Sequence, residues 1–301
     1  MATYNRANLI KETLDSIKNQ AFQNFECLII DDGSQDYTKI TVDEYITGDG
    51  RFSYYARPDM YKKGLPGCRN YGLDICRGNY VIFFDDDDIV HPDNLRLNLE
   101  VLENRNYDFC VYQKQPFKET PKFAESTIPE IIETFSKNRM IDILENQIPM
   151  ASCTVFWRKS CFEGQRFLEY LNYAEEWELY ARMVSSGLSG VMISNVLYYN
   201  RKHAESNTGK YYAGDLKMKK AKAKAILALW NHFIESKLIT FKLKRYLINR
   251  SCYFSEFGIL NEMLQKSNDL KIISWFWRIY YITFSTRLFF YRLRRLKFNL
   301  F

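Results

Sequence analysis

The first hundred residues switch repeatedly between two hydrophobic periods. Leu9, Ile10, Leu14 and Ile17 recur at helical spacing and predict a helix over Asn8–Gln20, with Asn8 or Asn5 as its N-cap. Glu26–Ile30 is a short apolar run that stops at Asp31-Asp32-Gly33-Ser34, the pattern of a buried strand ending in a polar turn. A second short strand is expected over Phe52–Ala56, and a helix over Cys68–Cys76 that Gly78 closes. Tyr80–Phe84 reads as a third buried strand, ending abruptly in Asp85-Asp86-Asp87-Asp88. Pro92 then opens a helix carrying Leu95, Leu97, Leu99 and Leu102. This alternation predicts an α/β domain with a mostly parallel sheet flanked by helices. Ligands of such sheets bind beyond the carboxyl ends of the strands, where both Asp clusters fall.

The pattern weakens after residue 103. A Phe/Pro/Lys-rich loop is expected near Gln115–Phe123, and a helix around Ile128–Lys137. Thr154–Arg158 reads as a strand, a helix follows Glu175, and Val191–Tyr199 reads as a strand again. Beyond Asp215 the chain reads as helical, so the expected division is a domain over 1–215 and a helical extension over 216–301. Charge sharpens that boundary. The net +6 of the 301 residues splits into −8 for the first part and +14 for the second. An acidic body with a basic tail points to an anionic partner, either membrane headgroups or nucleic acid.

Composition then removes several classes. With 22 Tyr and 22 Phe the chain has the apolar mass of a folded protein, which excludes disorder. Seven cysteines without CxxC spacing argue against a disulfide framework and a zinc site. The opening residues lack an apolar core segment, so no secretory leader is expected. Ile272–Phe290 is interrupted by Arg278 and Arg287, and an Arg at mid-membrane costs about 2.5–3.5 kcal/mol. The expectation is a cytoplasmic protein, peripheral on the inner face of the cell membrane rather than crossing it.

Four consecutive aspartates after a buried strand have two readings: a solvated turn capping the next helix, or a cation site whose hard oxygen ligands suit Mg²⁺ or Mn²⁺. The surrounding residues resemble a known family. ATYNRANLIKETLDSIKNQAFQNFECLIIDDGSQDYT followed by GCRNYGLDICRGNYVIFFDDDDIVHPDNL is similar in order and spacing to glycosyltransferase family 2, which has the GT-A fold. Ala174–Leu179 (AEEWEL) resembles that family's EDWDL-like stretch, and Arg201-Lys202-His203 resembles a basic segment near the end of its catalytic domain.

The resemblance implies an inverting, metal-dependent glycosyltransferase that moves a sugar from a nucleotide-sugar, with UDP favoured, to a glycan or lipid-linked glycan precursor in surface polysaccharide synthesis. It places the metal on Asp87, with Asp85 assisting and His203 as a further ligand or a loop residue over the diphosphate. It gives Thr3, Tyr4, Asp31, Asp32, Arg69, Asp85 and Asp86 to the donor, and Glu176 the role of general base. Arg69 also fits a surface helix residue, and Glu175 and Glu178 rival Glu176, where the family usually has Asp. Glu178 is expected to face solvent, Trp177 to pack or stack on an acceptor, and His91 to sit in an exposed turn. The family also carries a buried strand immediately before TYN; here it is expected to be missing or truncated.

Residues 271–301 interleave eleven Phe, Tyr and Trp with seven Lys and Arg and no acid, which suits a helix lying on an anionic membrane or a subdomain packing its aromatics inward. Two other functions fit less well. A nucleotidyltransferase of related fold would need an early Gly-rich phosphate loop, which TYNRANLIKE lacks. A nucleic-acid-binding protein would leave the Asp clusters unexplained.

Overall fold

The computed structural model describes residues 1–118, 120–123, 125, 127–202, 207–254, 257–267 and 271–289. The chain divides into two compact units, Met1–Ala213 and Gly214–Phe301. The first runs β1 (Ala2–Thr3), α1 (Ile10–Lys18), β2 (Cys27–Asp31), α2 (Thr38–Ile46), β3 (Phe52–Ala56), α3 (Leu65–Ile75), β4 (Tyr80–Val81) and β5 (Ile89–Val90). It continues with α4 (Asn94–Glu103), β6 (Phe109–Phe117), β7 (Ile131–Phe135), α5 (Met140–Leu144), β8 (Val155–Arg158), α6 (Glu175–Ser185), β9 (Gly190–Arg201) and α7 (Asn207–Tyr212).

The α/β architecture expected from the pattern is present. β1, β2 and β3 form a parallel sheet in that order, with Ala2 opposite Ile30 and Cys27 opposite Phe52. A second sheet has the order β4-β8-β6-β9-β5, with β7 also on β9. Its longest ladder, β6 on β9, is parallel, and the shorter ones are antiparallel. One core joins both sheets. Ile10, Leu14 and Ile17 of α1 pack with Ile29, Phe84, Val101, Cys110 and Val191, each such side chain contributing about 1.5–3 kcal/mol of burial.

Several local expectations change. Neither Asn5 nor Asn8 caps α1, which follows Leu9 without a side-chain cap; Asn5 instead accepts the Gln35 N–H at 2.8 Å. Ile128–Lys137 is not helical, because Ile131–Phe135 pairs with β9. The β-branched Ile131, Ile132 and Thr134 favour that strand once an edge is offered. The expected loop at Gln115–Phe123 starts as strand. Beyond Val111, β6 pairs with β9 alone, so Pro116 lies on an edge where the missing N–H is tolerated.

The strand before Thr3 is short, and Met1 extends its ladder: the Met1 nitrogen donates to Leu28 O at 2.8 Å, and Ile30 N donates to Met1 O. Beside it lies an apolar cavity of about 420 Å³, bordered by Leu28 and Ile30 of β2, by Val81 of β4, and by Phe83, Phe84 and Phe156.

The second unit holds α8 (Leu216–Glu235), α9 (Phe241–Cys252), α10 (Ile259–Lys266) and α11 (Lys271–Ile282). Asp215 caps α8 by accepting the Lys217 and Met218 N–H groups, and Thr240 caps α9. Trp230 and Phe233 of α8, Leu247 of α9 and Met263 of α10 are buried. Among the described residues no helix is long and apolar enough to cross a membrane.

Candidate active site

The site is built beyond the carboxyl ends of β2, in the parallel sheet, and of β4, whose ladder with β8 is antiparallel. Asp31 closes β2 and is spent on the turn that follows. Its Oδ1 accepts the Gly33 and Ser34 N–H groups at 2.9 and 2.7 Å, and Tyr54 donates to Oδ2. Gly33 makes the turn at φ 88, a conformation that costs a residue with a Cβ. Asp32 accepts from Arg57 Nε at 2.6 Å and from the Gly64 N–H at 3.1 Å. Thr3 is buried and opposes the rise in Asp86's pKa, while Tyr4 is exposed with the Lys63 ammonium 4.7 Å from its ring centroid.

The four aspartates differ in their surroundings. Arg6, from TYNR, spans two of them, with Nε 3.1 Å from Asp86 and Nη2 3.3 Å from Asp87. Asp88 accepts the Arg201 N–H at 2.7 Å, and Arg201 Nε donates to Asp87 O at 3.0 Å. The buried Tyr198 hydroxyl accepts the Asp85 N–H at 3.1 Å and also supports Asp88. Burial pushes Asp86 up to about 6 against the pull of Arg6. Burial and the charge of Asp85 push Asp88 up to about 7.

Asp85 is the most open of the four, with 39% of its side chain exposed in a recess ringed by protein. Desolvation raises its pKa and Arg69 opposes the rise, while the charges of Asp87 and Glu176 reinforce it. Two carboxylates, Asp85 and Asp87, thus crowd one place with a third, Glu176, near enough to act on Asp85.

Arg69 ties this cluster to α6. It is buried, with Nη1 3.0 Å from Glu175, Nη2 2.8 Å from Ser152 Oγ and Nη2 3.6 Å from Asp85. The surface-helix reading of Arg69 therefore fails. Ala174 precedes α6 in the left-handed region at φ 63, so Glu175, Glu176 and Glu178 all fall in the first helical turn. Burial and the charge of Glu176 raise the pKa of Glu175 against the pull of Arg69. Glu178 does not face solvent. It is buried and accepts from Arg182 Nε at 2.8 Å and Nη2 at 3.1 Å, which removes it as a rival base. Trp177 donates to Leu144 O at 3.2 Å, a packing role. His91 is buried rather than exposed, accepts the Asp93 N–H and stacks near Tyr199, because the turn it occupies is covered by β9.

Sequence reasoning missed two contributors. Lys114 of β6 brings a cation close enough to Asp85 to favour its ionised form. It falls one residue before the stretch read as loop, where no strand was expected. Tyr198 was read only as a strand residue. His203 lies outside the described residues. Among the described residues no group of three His, Cys, Asp or Glu side chains converges as a ready-made metal cage. Asp85 and Asp87 nonetheless fit a divalent cation by donor chemistry: both are hard oxygen ligands whose mutual repulsion a cation would relieve, and Mg²⁺ commonly uses one or two carboxylates.

Comparison with known proteins decides the family. The model of glycosyl transferase family 2 matches residues 1–163, more than half of the chain. The chain belongs to glycosyltransferase family 2. Within this family it is 41% identical over 181 residues to the GalNAc(5)-diNAcBac-PP-undecaprenol beta-1,3-glucosyltransferase of Campylobacter jejuni, covering 58% of this chain and 56% of that one. It is 26% identical over 207 residues to the minor teichoic acid biosynthesis protein GgaB of Bacillus subtilis, covering 67% of this chain and 22% of that one. The chain thus spans less than two thirds of the length of these curated relatives. The GT-A fold is shown by S. aureus TarS 1–349 in complex with UDP-GlcNAc, at a TM-score of 0.63 and 17% identity over 88% of this chain and 79% of that one.

Proposed function

We propose that this family 2 chain is an inverting glycosyltransferase that moves a sugar from a nucleotide-sugar, UDP-linked by preference, to a hydroxyl of a lipid-linked glycan precursor on the cytoplasmic side of a membrane. The observation that carries the reading is the convergence on Arg69 of Asp85 from the strand end and Glu175 from α6, with Glu176 beside them. The names of relatives support the substrates: the Campylobacter enzyme's acceptor is an undecaprenol diphosphate glycan, and TarS is seen with UDP-GlcNAc.

The residues divide the work as follows. Asp32, Thr3 and Tyr4 line the base pocket, and Asp31 acts by holding the turn that presents Asp32. Asp87 and Asp85 would hold Mn²⁺ or Mg²⁺, with His203 as a further ligand, and Arg6 and Arg201 keep the aspartate turn in place. When bound, the cation supplies charge neutralisation for the departing nucleoside diphosphate. Lys114 adds a positive charge that acts on Asp85. Glu175, buried against Arg69, is held away from the acceptor, so the more exposed Glu176 accepts the proton of the attacking hydroxyl. One displacement assisted by one base inverts the anomeric carbon.

A thermal-shift panel of UDP, GDP, CDP and dTDP, each with and without Mn²⁺, tests the donor. One nucleotide is expected to stabilise the protein only with metal, by about 2.7 kcal/mol at ~100 times its Kd. No shift from any nucleotide would defeat the reading.

A further inference from the structure

The helix α11 of the second unit carries an apolar face that the unit does not cover. Its anchor is Trp277, 1% exposed, which packs against Phe241, Phe276 and Tyr280. At about 100° per residue, the side opposite Trp277 collects Ile272, Trp275, Ile279 and Ile282. These side chains are exposed by 72, 64, 39 and 76%. The helical backbone continues past α11, with Thr283 N bonded to Ile279 O and Arg287 N to Thr283 O, and Phe289 is exposed as well. Single exposed apolar residues are ordinary; a continuous stripe that includes an exposed Trp is not.

Cations border the stripe on both sides. Lys271 and Arg278 fall along one border and Arg287 along the other by the same angular count. Arg278 is turned back onto Asn261 at 2.9 Å, and Arg287 lies 3.5 Å from the Tyr280 ring centroid. No acid follows Asp269, and residues 216–301 carry a net +14.

We propose that this face of α11 docks in the plane of an anionic lipid surface. An apolar stripe with an aromatic residue, flanked by cations, matches the headgroup–acyl boundary, where apolar side chains enter and Lys and Arg meet lipid phosphates. Among the described residues no helix is long and apolar enough to cross instead. Charge selects this occupant over a second copy of the chain, since two such faces would bring like charges together. The proposal is independent of the transfer reaction, because vesicle binding and sugar transfer are read separately.

The test is co-sedimentation of the full chain with vesicles of phosphatidylcholine alone and with about 30% phosphatidylglycerol, across a salt series. Binding is expected to the anionic vesicles only, to weaken with salt, and to fall at least about tenfold in Trp275→Ser/Ile279→Ser, whose sites are exposed and whose melting temperature should not change. The charge variant Lys271→Glu/Arg278→Glu should weaken binding with the stripe intact. Equal binding to both vesicle types, unchanged binding by the stripe variant, or no vesicle binding with a self-association that the stripe variant abolishes would each overturn the proposal. Binding to single-stranded oligonucleotides with none to vesicles would overturn it too.

Discussion

Arg69 carries a fixed positive charge into a buried place and meets two carboxylates there, one from each side of the cleft. That arrangement makes Glu175 and Glu176 separable by experiment. Glu176→Gln is expected to leave nucleotide binding intact and to lower kcat by about 10²–10⁴-fold, as for loss of a general base; unchanged turnover would move the base elsewhere. Glu175→Gln should instead alter the pH dependence of stability. Because its pKa is raised in the fold, the native state binds more protons than the unfolded chain from its ordinary value upward. Stability is therefore lost as pH rises between about 4.5 and about 8, and the Gln variant should lose less across that window in thermal melts; parallel pH curves would refute the assignment. The sequence exposed the Asp clusters, Arg69 and the Glu pair because ordered motifs carry them. It hid the rest for a physical reason: Tyr198 and Lys114 reach the site only through the register of β6 on β9, with Lys114 opposite Tyr198, and no local pattern encodes that pairing. The burial of Glu178 was hidden likewise, since its partner Arg182 is an ordinary i,i+4 neighbour that on most helices would face water.

At the scale of elements, periodicity located most strands and helices of the first hundred residues to within a few positions. β3 coincides with its expected bounds, whereas Ile82–Phe84 is buried or half-buried without continuing β4. β7 was lost because a five-residue segment has too short a period to outvote its flanks, and β9 supplies the reason for it to be a strand. The start of α3 offers a sharper test. A Cβ on Gly67 would stand 2.0 Å from Lys62 O, a backbone atom that cannot swing aside. Gly67→Ala should therefore displace the first turn of α3, costing about 1–3 kcal/mol. It should also lower activity through Arg69, two residues on. Denaturant melts and kcat measured together check this, and a variant with wild-type stability and turnover would show that the turn has room.

On the scale of the whole molecule, the chain divides at Ala213/Gly214, and the aspartates, Arg69 and the Glu175–Glu176 pair of the candidate site all belong to the first unit. That unit also holds the cavity beside β1. Bordered by β2 on one side and by Val81 of β4 on another, it is apolar throughout much of its wall. An apolar hollow of this size leaves its lining without partner atoms, so a small apolar molecule such as benzene should enter it and raise the melting temperature of this chain; an unchanged melt would show that the hollow has closed.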